Sequence, residues 1–202
     1  MAEKLTIEIF RRKDAEDFTK ALSDPESRTA VGSGAAMTAA IAAAYLHRAS
    51  ALCAAEKPED ERLAWLVRNS ETLRTYMVQL IDEDVKCRGP LRRARKEGDA
   101  RAIEAAHQPA VAIANEIVNM MGQCLELLKE LKASAQGEAL TFVKAAAELA
   151  LSAIRASMHF CIDMSLECGD ETYRYVTRRE NELTLAQCLT VYEVILAEKA
   201  EA

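Results

Sequence analysis

Apolar residues recur every three or four positions through most of the chain, a spacing that places them on one face of a helix. The clearest case lies within residues 58–86. Its apolar positions are Leu63, Leu66, Val67, Leu73, Met77, Leu80 and Ile81. We expect Pro58 in the first turn of this helix, because the fixed φ of proline suits that position.

The same spacing, broken by Pro- and Gly-containing stretches, predicts the remaining elements. The first segment contains a short helix that Asp14 caps, with Asp17 three residues on. The helix-containing segments are 4–23, 34–55, 100–133 (kinked at Pro109), 138–168 and 183–200. The basic stretch 92–99 is expected to be a charged connection between two helices.

These elements indicate an all-α protein, an antiparallel bundle of five to six long helices. Seven Gly and four Pro in 202 residues are too few for a β-rich fold with many tight turns, and no strand signal is present. No linker divides the chain, so we expect one all-helical domain over residues 1–202. Several helices exceed the usual globular length, and the small side chains of residues 35–44 permit close helix contacts. Together they predict a homodimer.

Charge and hydropathy exclude two classes of partner. A net charge of −6 argues against a nucleic-acid partner. The alanine-rich helix is long, but His47 and Arg48 interrupt it and alanine is only weakly apolar, so no membrane span is expected. The N-terminal residues are too polar for a secretory signal, which favours a cytoplasmic location.

The six cysteines are scattered and form no C-x-x-C pair, so we expect buried free thiols rather than disulfides. Cys161, Cys168 and His159 share part of one helix face without a known zinc spacing. We therefore predict no metal site and no bound cofactor.

A glycine-containing turn, V-G-S-G-A-A at residues 31–36, leads directly into the alanine-rich helix. The backbone N–H groups of Gly32, Ser33 and Gly34, together with the helix dipole, are suited to bind an anion or a polar ligand group. An ordinary flexible start of a helix explains the same pattern, and the residues alone leave both interpretations open.

His159 and Asp163 are four residues apart, so their side chains lie on one helix face and can hydrogen-bond. A carboxylate that orients an imidazole is an arrangement used for general acid–base catalysis. A polar pair at a helix contact is the alternative.

Two charged runs carry similar alternatives. Asp82, Glu83 and Asp84 stand near a helix end, where they form either a solvated face or the lining of a site. The basic residues of the second run form either an exposed connection or an attractive surface for a polyanionic ligand tail. They are Arg92, Arg93, Arg95 and Lys96.

Taken in order, these segments resemble the cyclodeaminase/cyclohydrolase family of folate enzymes. Members carry an F-x-x-x-L stretch before a P-x-P-G-G-G-S loop, and Phe18 and Leu22 precede Gly32-Ser33-Gly34-Ala35 here. The family's D-x-D-A-x-x-F segment is similar to the run 82–84, and its A-x-x-x-P helix to AAHQP, ending at Pro109. The family's N-V-x-I-N and D-x-x-Y stretches are similar to residues 159–163 and 170–173. The likeness extends over about residues 5–195.

Several positions depart from the family pattern. Ser33 replaces the middle glycine, Ala35 replaces the loop serine, and Thr29 and Val31 replace the two prolines. The family's S-D pair is lost around residues 140–141. His159 and Asp163 replace both asparagines of N-V-x-I-N. Fold positions are kept while polar site positions are exchanged, which is typical of a divergent paralogue.

The resemblance implies an all-helical homodimer that takes a tetrahydrofolate derivative near the glycine turn. A cyclohydrolase adds water to the carbon that bridges two folate nitrogens, whereas in a cyclodeaminase one folate nitrogen attacks a formimino carbon and ammonia leaves. Neither reaction requires a metal. The absence of a formiminotransferase domain from these residues favours the cyclohydrolase.

On that interpretation His159 and Asp163 are the catalytic pair. The expected substrate-binding residues are Gly32, Ser33, Gly34, Asp82, Asp84, Arg92 and Arg93. The alternative is a non-catalytic ligand-binding or interaction module with the same fold, which the exchanged polar residues favour.

Overall fold

The computed structural model describes residues 9–198. Residues 4–8 of the first predicted segment and residues 199–200 of the last therefore lie outside the described part of the chain. A one-turn 3-10 helix spans Phe10–Arg12. The helices are α1 Ala15–Ser23, α2 Val31–Glu56, α3 Glu61–Cys87, α4 Gly89–Glu97, α5 Ala100–Lys132, α6 Gly137–Leu166 and α7 Glu171–Leu196. Five of them are long, and residues 9–198 contain no strand. The all-α prediction is confirmed.

Helices α2 and α6 form the centre of the bundle and run antiparallel. Arg48 of α2 pairs with Glu138 of α6 at 3.0 Å, and the rings of Tyr45 and Phe142 meet edge-on at 5.2 Å between centroids. Helix α3 packs along the outer side of α2, and α7 along the outer side of α6. Helix α5 crosses one face of this layer and contacts all four helices.

Small side chains allow the central helices to approach closely. The alanines of α2 and α6 that face the core are almost fully buried: Ala36, Ala39, Ala42, Ala43, Ala146, Ala147, Ala150 and Ala153. Larger side chains from α3 and α5 fill the space around them, among them Leu66, Met77, Ile81, Met121, Leu125 and Leu128. A chain with 5% aromatic residues can reach the packing density of a protein core in this way.

Three element boundaries differ from the sequence-based expectations. Helix α2 begins at Val31, so the glycine turn is already helical. Helix α3 begins at Glu61 rather than near Pro58, because the carboxylate of Asp60 accepts from the N–H groups of Arg62 and Leu63 and caps the helix there. Helix α7 begins at Glu171 for the same reason, with Asp170 as its cap.

The expected charged connection at residues 92–99 was wrong, because most of it forms helix α4. Pro90 lies in its first turn, and Gly98 ends it in the left-handed conformation, φ 72°. Leu91 packs with apolar side chains of α5 and α6, and Ala94 is also buried, so these two residues stabilise this otherwise basic helix. Helix α5 runs continuously through Pro109.

The described helices match the expectations on thiols and hydropathy. All six cysteines are free and five are buried, as predicted; Cys87 is half-buried. None of the helices within residues 9–198 is long and apolar enough to cross a membrane.

Burial predicts which leucines stabilise the bundle. Leu125 of α5 has no exposed surface, whereas Leu183 of α7 is 49% exposed. We expect Leu125→Ala to lower the free energy of unfolding by about 2–5 kcal/mol, since it leaves a cavity in the core. The matched variant Leu183→Ala should change it by less than about 1 kcal/mol. Urea titrations followed by circular dichroism measure both values, and equal losses would contradict this assignment of the core.

Candidate functional site

The last third of α3 turns two carboxylates into the protein. Asp82 is 6% exposed and Asp84 is fully buried. A buried carboxylate is costly unless it is paired and hydrogen-bonded. The partners of these two side chains therefore define the local structure.

Asp84 joins α3 to the first turn of α2. Its Oδ2 accepts a hydrogen bond from the Ser33 hydroxyl at 2.7 Å. The Arg88 guanidinium, one turn further along α3, donates to both carboxylate oxygens, from Nη2 at 3.0 Å and from Nε at 3.3 Å. Arg88 is itself 12% exposed, so the pair is largely withdrawn from water. A two-pronged contact of this kind is stronger than a neutral hydrogen bond.

Gly32 allows this approach because it has no Cβ. A Cβ built at Gly32 would lie 2.1 Å from Asp84 Oδ1 and 2.7 Å from its carboxyl carbon. The space beside the first glycine of the turn is thus occupied by the Asp84 carboxylate. At Gly34 a Cβ would meet only the Leu22 side chain, at 3.8 Å, which is ordinary contact.

Asp82 fixes the segment that precedes α1. Its Oδ1 accepts from the backbone N–H of Phe10 at 2.7 Å and from that of Arg11 at 3.3 Å. The Arg11 side chain approaches Oδ2 at 3.5 Å. The second oxygen of Asp82 therefore has one long contact and no short hydrogen bond within residues 9–198.

Two arginines hold the loop between α1 and α2. Nη2 of Arg88 and Nη1 of Arg92 both donate to the carbonyl of Arg28, each at 2.9 Å. Arg92 also donates to the carbonyl of Val85 at 3.1 Å. The loop is consequently anchored to α3 and α4 by guanidinium groups.

A cavity of about 430 Å³ opens between these elements. Its polar wall consists of Arg11, Arg28, Asp82, Lys86 and Arg92, and its apolar wall of Ile9, Phe10 and Val85, with Gly89 at one side. This volume is within the range of small-molecule sites.

Positively charged side chains outnumber negatively charged ones in the lining of the cavity. Burial lowers the pKa of the Arg92 guanidinium, and the charges of Arg88 and Arg28 lower that pKa further, while Asp84 opposes the effect. An arginine remains protonated despite such a change.

The structure brings together most of the residues that the sequence suggested as substrate-binding. Asp82 and Arg92 line the cavity, and Gly32, Ser33 and Asp84 form the network beside it. Arg93 is exposed and does not line the cavity. Their ligand-binding roles remain predictions. Sequence reasoning missed Arg11, Arg28 and Arg88, although the spacing of Asp84 and Arg88, one helical turn, is a signal that could have identified the pair.

The proposed catalytic pair lies elsewhere. His159 and Asp163 are both exposed on α6, and the structure contains no hydrogen bond between them. Neither residue lines the cavity beside Asp82. Their catalytic assignment remains a prediction.

A different side chain of α6 faces the protein interior. Ser157, two residues before His159, is fully buried, and its hydroxyl has no hydrogen-bond partner within the described residues. The contacts of Arg48 with Glu138 and of Tyr45 with Phe142 fix the antiparallel register. Continued along both helices, that register places Ser157 level with residue 30, at the start of α2.

Two buried cysteines, Cys161 of α6 and Cys168 in the turn between α6 and α7, serve as hydrogen-bond donors. Cys161 donates to Asn115 Oδ1 at 3.2 Å, and Cys168 donates to Glu104 Oε1 at 2.8 Å. Burial raises the pKa of Cys161 to about 12, so its thiol is protonated at neutral pH. A protonated thiol is a poor metal ligand, and no group of three His, Cys, Asp or Glu residues within 9–198 is placed to hold a metal ion.

Comparison with known proteins gives one family and one fold. The model of the formiminotransferase-cyclodeaminase family matches residues 14–180. Among solved structures, the chain is similar to the formiminotetrahydrofolate cyclodeaminase of Thermotoga maritima, with a TM-score of 0.83 and 17% identity. The match covers 91% of this chain and 94% of that one. No curated protein matches the sequence.

The two glycines of the turn should respond oppositely to alanine. Gly32→Ala would displace the Asp84 carboxylate, and we expect it to lower the free energy of unfolding by about 1–3 kcal/mol. Gly34→Ala should leave it unchanged or raise it by up to about 1 kcal/mol, because alanine favours the helix. Urea unfolding of both variants measures the difference. Equal effects would show that Gly32 does not provide the close approach of Asp84.

Proposed function

The chain belongs to the formiminotransferase-cyclodeaminase family, and on that premise we propose that it acts on a one-carbon derivative of tetrahydrofolate, as a methenyl-tetrahydrofolate cyclohydrolase. The observation that carries the proposal is the buried carboxylate of Asp82 in a cavity of ligand size, beside the glycine turn. The similar solved structure is a formiminotetrahydrofolate cyclodeaminase, and that name supports a folate ligand.

Hydrolysis of a methenyl group requires a base that accepts a proton from water and an acid that protonates the departing nitrogen. Asp82 fits the role of base, because Oδ1 is held by two backbone N–H groups while Oδ2 has only the long contact with Arg11. Asp84 does not fit it, since Ser33 and Arg88 occupy its oxygens. We therefore assign the chemical role to Asp82 and a structural role to Asp84.

Two alternative functions are also supported. A cyclodeaminase would use the same cavity and release ammonia from a formimino group. A non-catalytic binding module is favoured by the exposure of His159 and Asp163 and by the exchanged polar positions of the glycine turn. Among the basic residues of α4, Arg95 is less available to a ligand tail, because it pairs with Glu167.

The catalytic assignments can be separated by substitution. We expect Asp82→Asn to lower the rate of methenyl-tetrahydrofolate hydrolysis by about 10²- to 10⁴-fold, because general-base assistance is lost. Asparagine keeps an oxygen that can accept from Phe10. His159→Gln tests the exposed histidine in the same assay. Glu61→Gln, at the exposed start of the same helix and outside the cavity wall, is the matched control.

The assay follows loss of the methenyl absorbance, with ammonia release from formimino-tetrahydrofolate measured in parallel. A wild-type rate equal to that of buffer in both assays would favour the binding module. A full effect of His159→Gln with an active Asp82→Asn variant would transfer the catalytic role to α6.

We also propose a homodimer, for which α2 provides the support. A helix that is apolar on all sides is normally buried on all sides, yet Ile41 of α2 is 41% exposed and Met37 and Tyr45 beside it are only half-buried. A second copy would cover this face. Sedimentation equilibrium should give the mass of two chains, and Ile41→Asp should shift it toward one. A wild-type mass of one chain at micromolar concentration would contradict the proposal.

A further inference from the structure

The cavity beside Asp82 has two cations left over when its ion pairs are assigned. The charge of Asp82 is balanced by Arg11, at 3.5 Å, and Lys86 pairs with Glu83 at 2.6 Å. Arg88, behind the wall, neutralises Asp84. Arg28 and Arg92 both line the cavity, and neither pairs with a carboxylate within residues 9–198.

The hydrogen-bonding capacity of these two side chains is also incompletely used. Arg92 donates from each terminal nitrogen to a backbone carbonyl, which leaves the other N–H groups of its five available. The Arg28 guanidinium makes no hydrogen bond within the described residues and is exposed. Only its backbone carbonyl is engaged, as the acceptor for Arg88 and Arg92.

The rest of the wall is apolar. Ile9, Phe10 and Val85 line the same cavity. Phe10 is 2% exposed and held in place through the hydrogen bond of its N–H to Asp82. A site with convergent guanidinium groups beside apolar side chains matches a ligand that is anionic at one end and apolar at the other.

We propose that this cavity binds a small organic acid, with its anionic group held by Arg28 and Arg92 and its apolar ring against Ile9 and Val85. The site differs from the glycine turn, because Asp84 occupies the space beside Gly32. The proposal goes beyond the folate reaction, since it requires binding only. It holds whether or not Asp82 transfers a proton.

The probes are naphthalene-2-carboxylate, its uncharged carboxamide, acetate and inorganic phosphate, titrated into the full chain at constant ionic strength and followed by NMR. The carboxylate should bind at one saturable site that includes the amide signals of residues 10 and 11. The carboxamide and acetate should each bind at least about tenfold more weakly, since one lacks the charge and the other the ring. Equal affinity for carboxylate and carboxamide would overturn the proposal, as would phosphate binding as tight as that of the carboxylate.

The variant Arg28→Gln tests the contribution of the Arg28 charge alone, because it removes the guanidinium group and keeps the backbone carbonyl that Arg88 and Arg92 bind. It should weaken the binding of naphthalene-2-carboxylate about ten- to hundredfold and leave the affinity for the carboxamide unchanged. Arg12→Gln is the matched control, with the same change of charge on an exposed neighbour that does not line the cavity. An equal loss of affinity in the control would show that the carboxylate responds only to the overall positive charge of the surface, and would overturn the proposal. Carboxylate binding without any folate turnover would refute the proposed function alone.

Discussion

The Asp84 carboxylate has no exposed surface, and its burial in this bundle depends on two side chains from different places in the sequence that bind it. Asp84 receives the Arg88 guanidinium from its own helix and the Ser33 hydroxyl from α2. Removing one member of such a buried pair leaves an uncompensated charge, which costs far more than an exposed ion pair contributes. The relative position of α2 and α3 near their contact with the α1–α2 loop is therefore set by a polar interaction within an otherwise alanine- and leucine-lined interior.

The cavity depends on that interaction. Arg88, held by Asp84, donates onward to the carbonyl of Arg28, and Arg92 donates to the same atom from α4. This fixes the loop that carries Arg28 at the cavity, while Asp82 fixes the Phe10 and Arg11 backbone, which also lines it. Two carboxylates two residues apart on α3 thus hold two different segments. Because side chains two residues apart on an α-helix do not share a face, the two carboxylates serve different sides of α3.

Helical periodicity could predict the five long helices, since apolar spacing reflects burial directly, and Asp14 was identified as a cap from the residue type alone. It could not place the start of α2, because a Gly-Ser-Gly turn resembles a loop unless the partner at Asp84 is known. It also missed α4, whose four basic residues outweigh its two buried apolar ones. His159 and Asp163 showed the limit of spacing arguments: four residues predict a common face but not whether that face points inward, as Ser157 nearby does.

The departures from the family pattern gain a common physical explanation. Where the resemblance implies prolines that stiffen the loop, Thr29 and Val31 leave the backbone freer, and proline-free chains lose more entropy on ordering. Hydrogen bonds compensate here: the Thr29 hydroxyl donates to the carbonyl of Ala21 at 2.9 Å and lies 2.9 Å from that of Ser27. The two arginines bind the residue just before. Ser33, in the place of a glycine, then closes on Asp84. In the family pattern, proline rings would stiffen this loop, whereas in this chain side-chain hydrogen bonds hold it. Two of the residues involved, Arg28 and Arg92, also place their guanidinium groups at the cavity.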